Sequence, residues 1–233
     1  MRLIILLTFC FFTAQNFSAQ EKVVYFSEAI KSNIKKYNSK SDLEFERGNI
    51  TEGHALFDSL VQHILVGSRF DDYSFKSVNS RKVKLSKMGK PVFIITYASW
   101  CVISKGEIPA LNKLAKKYEK DLQVIVVFWD TKNDIKKIAR QFNGSIKVCY
   151  ANESYRNDAA VVSTLKHTLG FPTSYFLNTA LEVVDIKRGG MQIPRKTAFK
   201  KAVEMNYNVF NERLIGFLSK EEALREKQLA NIE

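Results

Sequence analysis

The chain has little cysteine. Three occur in 233 residues, Cys10, Cys101 and Cys149, too few for the disulfide framework of a small exported domain. Its three histidines, His54, His63 and His167, stand at no metal-ligand spacing from one another or from a cysteine, so no metal is expected. No Gly-rich phosphate loop, Ser-His-Asp set or paired-carboxylate site stands out, and no cofactor is expected. Four prolines and ten glycines form no low-complexity tract. Acidic residues are the scarcer charge, 24 Asp and Glu against 36 Lys and Arg, for a net charge of +12. The lysines are spread through nearly every segment, with no arginine-rich stripe and no nucleic-acid motif. They read as a solvated basic surface, and nucleic acid is not an expected partner.

Long apolar runs are also missing, except at the start. Met1 to about Ala19 has Arg2, the apolar run Leu3 to Phe12, then small and polar residues. This is the layout of a secretory signal (residues 1–19), too short to span a bilayer and expected to be removed. Phe17 fits poorly three places before a cut after Ala19. Export is expected, most simply to a bacterial periplasm, with no membrane segment left after processing. Cys10 would leave with the signal. The two remaining thiols are then functional or incidental, not a scaffold.

What is present is a 45% apolar chain in which short apolar runs alternate with amphipathic ones. Residues 20–65 read as a helical extension: a helix over Ser27–Tyr37, then a hairpin turned by Gly48-Asn49 and capped by Thr51. Leu56, Leu60 and Ile64 recur on one face, flanked by Phe57 and Val61; the face cannot bury itself alone and is expected to pack on the main domain. Residues 66–218 form that domain. Tyr73/Phe75 and Val83/Leu85 flank Asn79-Ser80 as a β-hairpin. Val92–Tyr97 and Leu122–Trp129 are continuous apolar strands of the kind buried on both faces. Ile146–Tyr150, Ser174–Leu177 and Glu182–Lys187 complete the strands. Helices are expected from about Cys101 to Tyr118, kinked at Pro109, and over 130–142 and 159–169. A helical region follows from Arg195 to about Ile232, with 219–233 as its tail and a break near Gly216. Strand and helix alternation predicts an α/β domain of three layers.

The chemistry converges on Cys101, the thiol placed where a buried strand ends and a helix is expected to open. There the partial positive charge of unpaired backbone N–H groups would favour the thiolate. Ser104, one turn on, could donate to the sulfur, and Lys105 adds a nearby positive charge. Cys149 lies on a predicted strand; it reads either as a core cysteine or as a second thiol able to resolve a disulfide on Cys101.

Tyr97-Ala-Ser-Trp-Cys101, Glu107-Ile108-Pro109 and Gly170-Phe171-Pro172-Thr173 together resemble the thioredoxin superfamily, in its exported branch of TlpA/ResA-type thiol reductases. The resemblance covers Val66 to about Leu218. It implies a thioredoxin-like α/β/α sandwich with an N-terminal β-hairpin. It implies that Pro172 is cis, that Phe171, Pro172 and Thr173 offer backbone to an extended substrate, and that Trp100 is a platform edge beside the thiol. Glu107 falls where that branch keeps a carboxylate beneath the site. Buried, it could relay protons to a leaving thiol; otherwise it is a first-turn glutamate facing water.

The departure is Ser104, where the second cysteine of a Cys-x-x-Cys pair would stand, either a natural loss of that thiol or an introduced trap. With one thiol, a mixed disulfide would persist until an outside thiol cleaved it. The expected function is thiol–disulfide exchange through Cys101, with protein thiols and disulfides or small thiols as partners and a membrane-bound reductant as one source of electrons. The alternative is a redox-inactive module or scaffold that binds peptides. A peroxidase of the peroxiredoxin type would want Pro and Thr/Ser where Ile94 and Ala98 stand.

Overall fold

Parallel strands β3 (Val92–Tyr97), β4 (Gln123–Phe128) and β5 (Ile146–Tyr150) form the centre of a seven-stranded sheet of order β2-β1-β5-β4-β3-β6-β7. The computed structural model describes residues 23–79, 81–101 and 103–230. The expected signal segment, its cleavage point and Cys10 lie outside the described residues, as does Ser80. On one side the sheet is extended by β6 (Thr173–Leu177) and β7 (Val183–Arg188), both antiparallel. On the other, the hairpin of β1 (Ser74–Ser77) and β2 (Lys82–Lys84) pairs Phe75 with Val83 and joins β5 through Ser77 and Cys149.

Alternation along the strands sends side chains to two cores. Val92 and Ile94 face one together with Val127, Cys149 and Tyr175; Phe93, Ile95 and Tyr97 face the other with Val126, Phe128 and Phe176. The first core is covered by α1 (Phe26–Glu46), α2 (Ile50–Leu60) and the run α5 (Ala159–Val161), a π turn (Val162–Lys166) and α6 (His167–Leu169). The second is covered by α3 (Glu107–Lys117), α4 (Lys132–Ala139) and α7 (Phe199–Ala230). Three layers result, as the strand and helix alternation requires.

The N-terminal helices pack on the sheet: Phe26, Ile30, Phe57, Val61 and Leu65 share a core with Ile94 and Tyr175. Their face differs from the expected one. A π turn over Val61–Leu65 inserts an extra residue into the helical repeat and rotates the phase. Phe57, Leu60 and Val61 are buried as expected, but after them Leu65 turns inward and Ile64 is exposed.

Other helix boundaries move as well: α1 runs past Tyr37 to Glu46, and α2 starts at Ile50 with Asn49, not Thr51, at its N-cap. α3 starts at Glu107, after Gly106 in a left-handed conformation (φ 82°), not at Cys101. Pro109 consequently sits in the first turn, where its missing N–H has no intrahelical partner to lose, and the reason for a kink disappears. α4 starts at Lys132 because Thr131 and Asp134 form a reciprocal capping box, which leaves Asp130 outside the helix. α7 starts at Phe199 and runs unbroken through Gly216, so the boundary drawn at 218 falls inside a helix.

Candidate functional site

β3 and β4 end side by side, and the pairing continues one step further as Trp129 N–H donates to the Tyr97 carbonyl at 2.8 Å. The loop after β3 therefore leaves next to Asp130. The Asp130 carboxylate is buried and accepts from both the Ser99 N–H and the Ser99 hydroxyl, each at 2.6 Å. These are short, charge-assisted bonds to one residue. They fix the point from which Trp100 and Cys101 project. The chain then turns tightly, with Cys101 N–H donating to the Ala98 carbonyl at 2.9 Å.

Cys101 is a free thiol, half-buried at the surface. Trp100 beside it is 74% exposed, and its ring meets the edge of Phe171 at 5.3 Å between centroids and 78° between planes. That contact brings the cysteine loop and the Gly170–Thr173 loop together. The Phe171–Pro172 peptide is cis. The Pro172 carbonyl accepts from Gly189 N–H at 2.8 Å. Thr173 is fully buried and bonds through its backbone to the Thr96 hydroxyl, while its own hydroxyl donates to the Gly170 carbonyl. Of the expected substrate-facing residues, Trp100 and Phe171 thus form a surface, whereas Thr173 holds the loop from within.

The three groups expected to favour the thiolate are placed otherwise. The N-terminus of α3 lies beyond Gly106, so its free N–H groups do not begin at Cys101. The Ser104 hydroxyl donates to Asn206 Oδ1 at 2.9 Å. The Lys105 ammonium donates to the Thr197 carbonyl at 2.7 Å.

Glu107 is buried, 2% exposed, and is not a glutamate facing water. The Tyr97 hydroxyl donates to its Oε1, and the Ser104 N–H donates to its Oε2 at 3.0 Å. Burial raises the Glu107 carboxyl above the usual range, although the bonds from Tyr97 and Ser104 and the Arg213 charge pull it back. Burial and the neighbouring carboxylate push the Tyr97 phenol well up in turn. Cys149 is fully buried on β5 among Val127 and other core residues, and burial pushes its thiol up to about 12.

Asp130, Gly106 and Asn206 carry much of this geometry and were not singled out in the sequence. Asp130 had a signal: it is the first charge after the unbroken buried run Val124–Trp129. Asn206 had none, because its partner Ser104 is 102 residues away. The Asp130 clamp is testable. Asp130→Ala removes two charge-assisted bonds, and a loss of about 2 kcal/mol of stability is expected because the exposed Ser99 groups regain water. Urea denaturation and amide exchange check this: the Ser99 amide should lose its protection in the variant, and unchanged protection would contradict the clamp.

The AhpC/TSA family model matches residues 66–185. Thioredoxin-like protein YneN of Bacillus subtilis is 27% identical over 126 residues, 54% of this chain and 72% of the relative. Thiol-disulfide oxidoreductase ResA of Oceanobacillus iheyensis is 23% identical over 150 residues, 61% of this chain and 75% of the relative. A solved structure described as thiol:disulfide interchange protein DsbE from Chlorobium tepidum superposes with a TM-score of 0.50 at 22% identity, over 66% of this chain and 97% of that one, and shares its fold.

Proposed function

Since the chain belongs to the AhpC/TSA family, we propose that it is a thiol–disulfide oxidoreductase working through Cys101 alone, outside the cytoplasm. The observation that carries the reading is the pairing of one accessible thiol with an exposed aromatic platform. Cys101 is half-buried, and the ring of its neighbour Trp100 meets Phe171 on the loop with the cis Phe171–Pro172 peptide. Names borne by the relatives YneN and ResA support the same chemistry. Export rests on the Arg2–Phe12 segment and is checked by fractionating cells.

The reaction balances as two exchanges. The Cys101 thiolate attacks one sulfur of a substrate disulfide; that bond breaks, a Cys101–substrate disulfide forms, and the other sulfur leaves as a thiolate that takes up a proton. A second thiol, from a small molecule or a reduced protein, then attacks the mixed disulfide. It releases Cys101 and becomes disulfide-bonded to the first substrate half. No third step within the chain is needed. Ser104 carries no sulfur, and Cys149 is buried with its thiol pushed up to about 12. At neutral pH that leaves about one Cys149 in 10⁵ ionised.

Glu107 serves in this reading as the buried protonatable group that holds the Ser104 N–H from below. Its pH signature follows from linkage. The unfolded carboxyl titrates near 4.5 and the folded one higher. Below 4.5 both states hold the proton, and Glu107 adds no pH dependence. As pH rises past that value the unfolded chain ionises first, so stability falls until the folded carboxyl has ionised too. Glu107→Gln removes this decline. Thermal midpoints measured from pH 4.5 to neutrality should fall less in the variant than in wild type; parallel curves would contradict the assignment.

The reading is tested by turnover on a peptide disulfide with a small thiol as reductant. Activity that depends on Cys101 supports it. Activity equal with and without that sulfur would leave the peptide-binding module as the better account.

A further inference from the structure

The position of a second thiol is occupied by a hydroxyl that the fold holds at a definite place. Asn206 is fully buried on α7. Its amide nitrogen donates to the Lys105 carbonyl and to the Ala202 carbonyl, each at 2.9 Å. Two carbonyl acceptors fix which way the amide faces, so Oδ1 can only accept. The Ser104 hydroxyl supplies the proton at 2.9 Å. α7 comes close enough for this because residue 106 lacks a side chain: a Cβ on Gly106 would lie 2.6 Å from the Val203 nitrogen.

We propose that Asn206 is a positioning residue of the Cys101 site, one that docks the loop onto α7 and makes position 104 a place for a hydrogen-bond donor. The inference rests on the thiol-exchange reading above. It gives Ser104 a role other than a missing cysteine. An alcohol always has a proton for Oδ1, and a thiol has a weaker one. A sulfur tied up in a disulfide has none, and would leave a buried oxygen unpartnered. Position 104 thus favours a hydroxyl, which keeps its proton for Oδ1, over a sulfur that would lose its proton on forming a disulfide.

The test places a thiol there and asks what the buried oxygen does to its redox equilibrium. Ser104→Cys is equilibrated with glutathione and its disulfide: the Cys101 thiol and the introduced thiol at position 104 reduce one glutathione disulfide to two glutathiones as the intrachain bond forms. The same measurement is made on Ser104→Cys/Asn206→Ala and Ser104→Cys/Asn206→Asp. Removing Oδ1 deletes the group left unpartnered only in the oxidised form, so Asn206→Ala should favour the intrachain disulfide by roughly five- to tenfold. Aspartate puts a stronger, charged acceptor at that place and should lower the constant below the Asn206 value. A packing role alone shifts both redox forms together and leaves the equilibrium constant unmoved. Equal constants in all three proteins would therefore overturn the inference. If the alanine variant does not fold, the comparison of asparagine with aspartate decides: a constant lowered by aspartate upholds the inference, and one equal to or above the Asn206 value overturns it. Wild-type protein supplies the separate control. An adduct of glutathione on Cys101 together with an insensitive equilibrium removes only the role of Asn206, whereas no adduct removes the thiol-exchange reading itself.

Discussion

Cys101→Ala is expected to abolish thiol exchange, lowering turnover at least ~100-fold to the level of the uncatalysed reaction, while the unfolding midpoint stays nearly unchanged. Two observations separate these effects. The cysteine is half-buried in a turn held by backbone and by Asp130, so its side chain contributes little packing. The only other described thiol, Cys149, is fully buried in the sheet and mostly un-ionised at neutral pH. No second route remains among the described residues once Cys101 is gone. Turnover of a peptide disulfide by wild type and variant, with thermal unfolding of each, checks both halves. A variant that keeps a tenth of the activity would mean that the chemistry lies elsewhere.

Gly106→Ala is expected to be the most damaging small change for stability. Two costs fall on one methyl group. Residue 106 has φ 82°, and a side chain in left-handed backbone costs about 1–2 kcal/mol. The added Cβ would also stand 2.6 Å from the Val203 nitrogen and 2.9 Å from Ala202 C and Val203 Cα, all helix backbone. Such overpacking costs about 1–3 kcal/mol. Together roughly 2–5 kcal/mol is lost, a drop of about 4–20 °C in midpoint for a chain of this size. Gly48 is the internal comparison, with φ 77° and nothing within 4 Å of its added Cβ. Gly48→Ala meets only the backbone cost and should lose about 1–2 kcal/mol. Equal losses at the two positions would show that α7 does not press on residue 106.

The strands and both core faces were legible in the sequence because buried strands announce themselves by unbroken apolar runs such as Val92–Tyr97. That Trp100 and Cys101 stand at the surface where such a run ends was legible too: Trp100 is exposed and Cys101 half-buried. The helix start was misplaced by periodicity, although a local signal existed. Gly106 followed by Glu-Ile-Pro is a sound N-terminus, with proline in the first turn where it is tolerated. The fate of the Ser104 hydroxyl was not legible at all. Its partner Asn206 belongs to a helix remote in sequence, and nothing near either residue marks the pairing. The π turn at Val61–Leu65 was hidden for a similar reason: a single inserted residue leaves the apolar pattern intact and changes only which members face inward.

The most direct measurement is the mass of the wild-type protein after exposure to glutathione disulfide, before and after a dithiol is added. The account predicts one glutathione per chain, mapped to Cys101, that persists in the absence of free thiol and is lost on adding it. A chain that takes up no glutathione, carries it on Cys149, or releases it spontaneously as a Cys101–Cys149 disulfide would contradict the account.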